Sequence, residues 1–443
     1  MSQTVSLISL GCAKNRVNSE QMLFRLQEAG FRIKSESEKV DLLIINTCGF
    51  IDSAKEEAIG EILSAGEKKA AGLVGKILVT GCLAQRYQKE VLEELPEVDG
   101  ILGNGSFYDI VSAAKQVLSG KRVEQYDDIN APVDETGRVL TTPGYYAYLA
   151  IAEGCDNRCS YCIIPKLRGR YRSRSPEDIL SEAKELAARG VRELIVVAQD
   201  TSRYGMDLTG RHMLPELLRE LCKIEGIHWI RLHYLYPEDT TDEMIDLVAS
   251  EDKIVKYLDI PIQHVNNTVL KKMNRRGTKE ELLTLIQKLR DRIPGLVIRT
   301  SLIAGLPYED EPAFEELCDF LREYRLQRVG IFVFSPEEGT AAAKMEYPPV
   351  EVAERRAELV EELQQAIMEE YSESLIGETV EVLCEGFDED SGLFFGRSQW
   401  DSPDVDGLVW FTSEDSVQIG EFYPVFIGEV QNGDPVGAAL RKK

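Results

Sequence analysis

The 443-residue chain carries 51 Lys and Arg against 76 Asp and Glu, a formal net charge of −25, with 43% hydrophobic and 29% charged residues. Those proportions exclude a fibrous or wholly disordered chain, and at about 150 residues per domain they predict roughly three domains. The acidic excess argues against a protein that coats nucleic acid or anionic membrane through bulk attraction.

The opening Met1-Ser-Gln-Thr-Val-Ser-Leu-Ile-Ser-Leu has neither a cationic n-region nor a small-residue cleavage site. No apolar run reaches the roughly eighteen residues of a membrane span, so the chain is expected to be cytoplasmic, with no membrane contact. Nine cysteines, an odd number in a reducing compartment, predict metal binding rather than a disulfide framework.

Residues 1–125 alternate short apolar runs (5–10, 42–47, 76–80, 98–102) with helical patterns (17–29, 53–69, 83–95, 106–118). That alternation predicts an α/β unit built on a doubly wound parallel sheet. A polar stretch with two prolines, 126–143, is expected to be a linker. From 144 to 374 a second series follows, with strands near 148–152, 193–198, 229–234, 257–261, 297–303 and 330–334. Helices fall between them at 176–189, 215–224, 280–292 and 311–323, and a long charged helix trails at 350–374. Six units predict a partial (β/α)6 barrel, two short of the eightfold one. From 375 to 443 four short alternating strands with Gly and Asp turns (379–384, 393–398, 408–411, 422–427) predict a small antiparallel β-barrel.

Six of the nine cysteines form two sets. Cys155, Cys159 and Cys162 lie in a C-x3-C-x2-C run directly after the first strand of the second unit. Three thiolates on one loop hold three irons of a 4Fe-4S cluster and leave the fourth open, as a catalytic site requires. A zinc site would want a fourth Cys or His at short range, and Ile163-Ile-Pro-Lys supplies none. Cys12, Cys48 and Cys82 each stand just past a predicted strand, beside Gly11, Gly49 and Gly81. The carboxyl ends of a doubly wound sheet line one crevice, so these three thiols, distant in sequence, are expected to converge on a second cluster. Helix N-termini after each would favour the thiolate. Cys222, Cys318 and Cys384 occur singly at apolar positions and are expected to fill core, whereas His233 and His264 at barrel strand ends are candidates for lining a pocket.

The 155–162 run on a six-unit barrel resembles the radical S-adenosylmethionine (SAM) enzymes. The resemblance implies that the open iron takes the amino and carboxylate groups of SAM, whose reductive cleavage yields methionine and a 5′-deoxyadenosyl radical. It places Tyr161 near the adenine, Gly305 of Leu302-Ile-Ala-Gly-Leu-Pro-Tyr in a strand-five glycine motif, and Gln263 at the ribose. Gln199-Asp-Thr stands where such enzymes commonly carry Gly-Gly-Glu for the methionine amine. The alternating Lys166, Arg168, Arg170, Arg172 and Arg174 would bind the SAM carboxylate, Arg174 included, or steer an acidic group, or form a solvated edge strand.

Both triads with a terminal β-module resemble the methylthiotransferases, through Ser9-Leu-Gly-Cys-Ala-Lys-Asn, Asn46-Thr-Cys-Gly-Phe, Thr80-Gly-Cys-Leu-Ala-Gln-Arg, Gly154-Cys-Asp-Asn-Arg-Cys-Ser-Tyr-Cys and Ala198-Gln-Asp-Thr-Ser-Arg-Tyr-Gly. The resemblance implies an N-terminal methylthiotransferase domain, a radical SAM barrel and a C-terminal TRAM domain. It implies two 4Fe-4S clusters, two SAM per turnover, an electron donor such as a flavodoxin, and insertion of a methylated sulfur into an unactivated C–H bond. The family divides between adenosine in transfer RNA and an aspartate of small-subunit ribosomal protein twelve. Residues 375–443 carry fourteen acids and four bases, net −10. Phosphates within a Debye length of about 8 Å would be repelled, which favours the basic ribosomal protein and disfavours tRNA. A tRNA-modifying enzyme, a cluster carrier without catalysis and a zinc-stabilised interaction protein are the competing readings.

Overall fold

Apolar runs in this chain fall into three sheets, described in a computed structural model that covers residues 3–35, 37–132 and 137–441. In the first, Leu42-Leu-Ile-Ile-Asn is buried on both faces. Leu42 and Ile44 pack against Met22, Leu26, Ile110 and Val117, while Leu43 and Ile45 pack against Ala58, Ile62 and Leu83. Two-sided burial is why the strand reads as a continuous apolar run, the mark of a parallel strand between helical layers. The sheet is wholly parallel, in the order Arg32–Ile33, Thr4–Ser9, Val40–Thr47, Val74–Gly81, Gly100–Leu102, Val123–Gln125.

Its two edge strands are additions to the four expected, being too short for periodicity to reveal. The helix expected at 17–29 begins at Ala13, immediately after Cys12, and that expected at 83–95 is broken into Cys82–Tyr87 and Lys89–Glu94 at Gln88, whose φ is +45°. Part of the expected linker, 133–136, lies outside the described residues.

The second sheet is an open partial barrel of six parallel strands in chain order: Tyr146–Ala150, Glu193–Val197, Trp229–Leu232, Ile254–Asp259, Val297–Ala304 and Arg328–Val333. Alternate residues such as Leu149, Leu194, Ile230, Leu258 and Ile298 form the main apolar core with the surrounding helices. The long helix Val350–Glu373 packs along the final strands, its Gln364 Nε2 donating to the carbonyls of Leu326 and Gln327 at 3.1 Å.

The third sheet is a closed five-stranded barrel of Thr379–Asp388, Leu393–Ser398, Val409–Thr412, Asp434–Ala439 and Phe422–Gln431. The strand at Asp434–Ala439 was not expected, and it pairs parallel with Val409–Thr412, so the barrel is antiparallel at every seam but one. Cys384 fills its core and Cys318 that of the central unit, as expected.

Inside the partial barrel the lining is strongly polar. In closed barrels that space is filled by layers of branched apolar side chains. Here residues 397–406 of the C-terminal barrel enter it. Glu193, fully buried, accepts from Arg231 Nε and Arg397 Nη2 at 2.7 Å each. Arg328 pairs with Asp401 at 2.6 Å, the Tyr257 hydroxyl donates to Asp406 at 2.7 Å, and Ser402 Oγ meets His233 Nε2 at 3.0 Å. His233 therefore faces this inserted loop rather than an open pocket. A loop of this polarity explains why the barrel interior could be charged: each buried charge has a partner of opposite sign.

Removing Glu193 strands the buried Arg231 guanidinium and leaves Arg397 with Glu385 alone, so Glu193→Ala should cost about 3–5 kcal/mol, read as a drop in thermal midpoint, against under ~0.5 kcal/mol for the exposed Glu429→Ala. Burial holds the His233 imidazole down at about 4 from its ordinary 6.5. The unfolded chain thus takes up this proton before the folded one does. Stability should fall by about 3 kcal/mol as pH drops from about 6.5 towards 4, a slope that His233→Gln should flatten in denaturation titrations.

Candidate active site

The three strand ends of the N-terminal sheet interlock through their glycines. Gly11 has φ +82°, and a Cβ there would lie 2.7 Å from Cys48 Cβ. A Cβ on Gly49 would lie 2.7 Å from the Leu83 backbone nitrogen, and Gly81, at φ +95°, is pressed against Asn46 and Thr47. Each turn leans on the next, which brings Cys12, Cys48 and Cys82 within electrostatic reach of one another. Burial, then the charges of Cys82 and Cys12, push the Cys48 thiol up to about 12. Cys12 is drawn the other way: burial opposes ionisation, but Lys14, Arg168 and the backbone N–H groups of Asn15 and Lys14 hold its thiol below the usual range. It caps the helix Ala13–Glu28 and keeps open surface. Asn15 fixes this edge, its Nδ2 donating to the carbonyls of Leu10 at 3.0 Å and Thr47 at 2.9 Å.

The second triad lies on the loop after Tyr146–Ala150. Burial, followed by the charges of Cys159 and Cys155, raises the Cys162 thiol, and burial together with Asp200 and Cys159 pushes Cys155 up to about 11. Asn157 Nδ2 bridges Cys155 Sγ at 3.5 Å and Asp200 Oδ2 at 2.6 Å. Arg275 donates to the Pro261 carbonyl at 2.7 Å, stands 4.0 Å from Cys159 Sγ, and lies over the ring of Tyr236, whose hydroxyl is 3.5 Å from the same sulfur. Asp200 lies in the stretch read at the methionine amine, whereas Asn157, Tyr236 and Arg275 were not singled out from the sequence; a lone arginine or asparagine carries no spacing signal.

The elements that carry the two triads meet. Cys82 packs against Ile163 and Leu167, the residues just beyond Cys162. Arg168, on the short helix Ile164–Arg168, donates to Asn18 Oδ1 at 2.7 Å and to Asn15 Oδ1, pairs with Glu153 at 3.2 Å, and has its charge reinforced by Cys82 and Cys12. Behind it Glu337 takes Lys55 at 3.0 Å and Arg86. The donor set is soft, buried or half-buried at every position but Cys12, and cationically compensated, which suits thiolate-bound iron. Among the described residues no three Cys, His, Asp or Glu side chains close on a single ion.

The remaining expected contacts are scattered around this junction. Tyr161 packs with Val269, Met273, Leu306 and Phe334 beside Cys159. Gln199 Nε2 donates to Glu153 Oε1 at 2.9 Å while its Oε1 is buried without a partner. Gln263, at φ +69°, joins the strand-five edge, its N–H donating to the Ser301 carbonyl at 2.9 Å. At Gly305 the space of a Cβ is taken by Ala353 of the long helix, and its N–H donates to Glu309 Oε1 at 2.9 Å. Arg174 is buried against Glu182 at 2.7 Å and the Ala150 carbonyl at 2.6 Å, so its charge is already matched. The alternation from Lys166 to Arg174 is not one edge strand: it begins as a helix, turns at Gly169, and ends in the two-residue strand Arg172–Ser173. His264 lines a cavity of about 450 Å³ with Ile262, Arg275 and Arg276.

Comparison with known proteins agrees with this architecture. The Radical SAM superfamily model matches residues 149–321, that of Uncharacterized protein family UPF0004 residues 4–103, and the TRAM domain residues 376–439. Fold and thiol loop together define a radical SAM enzyme. The ribosomal protein uS12 methylthiotransferase RimO of Lachnoclostridium phytofermentans is 48% identical over 98% of this chain and 99% of its own length. Its counterpart in Pelotomaculum thermopropionicum is 49% identical over 96% of each. Among solved structures, the radical SAM methyltransferase TsrM from Kitasatospora setae shares the fold with a TM-score of 0.56 at 16% identity, over 77% of each chain. The chain belongs to the RimO family of methylthiotransferases and, with it, to the enzymes that use an iron–sulfur cluster and SAM.

The glycine interlock gives a direct test. Gly49→Ala should drive the Cys48 and Cys82 turns apart and lower iron and sulfide content towards that of a Cys12→Ala variant. Gly60→Ala, in open space within the helix Asp52–Ala70, should leave metal content unchanged and stabilise by about 0.5–1 kcal/mol.

Proposed function

We propose that this chain adds a methylthio group to the β-carbon of an aspartate in small-subunit ribosomal protein uS12, using two 4Fe-4S clusters, one on each cysteine triad. The packing of Cys82 on Ile163 and Leu167 carries the reading, because it joins the edge bearing one thiol set to the helix that follows the other. A cluster held by Cys155, Cys159 and Cys162 would supply the electron that cleaves SAM, and one held by Cys12, Cys48 and Cys82 would carry the sulfur species to be transferred. Asn157 and Arg275 direct positive N–H dipoles or charge at sulfurs of the second triad, which favours a bound anionic group. In this reading Tyr161, Gln263 and Gln199, whose Oε1 has no hydrogen-bond partner, contact SAM. Ile163, Leu167 and Phe50 exclude water from the junction, as a radical reaction needs.

The substrate assignment rests on the RimO relatives and on charge. The surface of the C-terminal barrel exposes Glu378, Glu381, Glu389, Asp390, Glu414 and Asp415, which suits a basic protein and opposes an RNA backbone. Electrons come from a low-potential carrier such as a flavodoxin, and the site of action is the cytoplasm; among the described residues no helix is long and apolar enough to cross a membrane.

Reconstituted enzyme supplied with SAM, sulfide and reductant should add methylthio mass to uS12 and none to bulk tRNA. Modification of the tRNA alone would reverse the substrate assignment.

A further inference from the structure

Lys14 is a buried cation with no carboxylate. It is 7% exposed, and among the described residues no Asp or Glu lies within ion-pair distance of it. The neighbouring cations are matched: Arg168 with Glu153, Arg16 with Asp404 at 3.6 Å, and Arg299 with Asp259 at 2.9 Å. Lys14 has the ring of Tyr234, with Nζ 3.4 Å from its centroid, and the thiol of Cys12, which it shares with Arg168. That ring is held on purpose. Tyr234 adopts φ +59°, a costly conformation for a bulky residue, fixed by its N–H to Asp259 Oδ2 at 3.1 Å and its carbonyl to Thr201 N–H at 3.0 Å. The pair bridges the helix that Cys12 caps and the end of the third barrel strand. A cation–π contact and one thiol shared by two cations offset only part of the cost of burying an ammonium, so the site has capacity for a further anion.

We propose that the Lys14 ammonium, seated on Tyr234, is the subsite that receives the carboxylate of the substrate aspartate. The inference rests on the aspartate reading above and deepens it. A carboxylate brought between the triads neutralises Lys14 and fixes the adjacent β-carbon beside Cys12, whereas an uncharged amide or an adenine leaves the charge unmatched. Charge at this one position thereby separates the aspartate from its neutral competitors.

The test uses full-length enzyme and purified uS12 in two forms, with the native aspartate and with asparagine in its place. Calorimetric titration should give wild-type enzyme a preference for the aspartate form of about tenfold or more. Lys14→Met should bring the ratio near one, and Lys14→Arg should keep most of it. Lys14→Gln serves in place of the methionine variant if that chain does not fold. An unchanged ratio in the neutral variants, or an equal collapse in Lys14→Arg, overturns the assignment. If wild-type enzyme neither binds nor modifies uS12, the substrate reading itself has failed, and that outcome is visible before any variant is made.

Discussion

Arg168 is the point at which the two cysteine-bearing edges are held together. Its guanidinium reaches Asn15 and Asn18 on the first helix of the N-terminal unit while remaining paired to Glu153, just past the first barrel strand, and the thiols of Cys82 and Cys12 reinforce its charge. A parallel sheet delivers every strand to the same edge, so each of the two sheets can present its ligands in one direction only. The separate requirement is that those edges face each other, and that falls to Arg168, to the packing of Cys82 on Ile163, and to Glu337 behind them.

Much of this was legible in the sequence because it follows from regular periodicity. Buried strands such as Val40–Thr47 write themselves as apolar runs, and one strand–helix–strand period separates Cys12 from Cys48 and Cys48 from Cys82. What escaped notice lacks a period. Arg32–Ile33 and Val123–Gln125 are two and three residues long, and Gln88 breaks a helix with a local left-handed turn that the flanking apolar pattern conceals. Gly305 shows a different failure: a glycine motif was readable, but not that its missing Cβ makes room for Ala353 some fifty residues later.

Charge counting is informative only after burial is known. The net −10 of residues 375–443 includes Glu385, Asp401 and Asp406, whose charges are turned inward on Arg397 and Arg328, so the outward field is weaker than the tally implies. The same correction applies to the basic run after Cys162, which reads as an exposed ladder and folds into a helix, a turn and buried ion pairs. In both cases the sequence shows where charge is, and only tertiary structure shows what it faces.

The insertion of residues 397–406 among Glu193, Arg231, His233, Tyr257 and Arg328 ties the evolutionary histories of two modules together. A terminal module attached by a tether alone can be exchanged between relatives as a cassette. Here the cassette carries half of a lock whose other half is distributed over four strands of its neighbour. Exchange of the terminal module without its matching wards would leave unpaired charge in the heart of the recipient, so the two must drift, and be transplanted, as one inheritance.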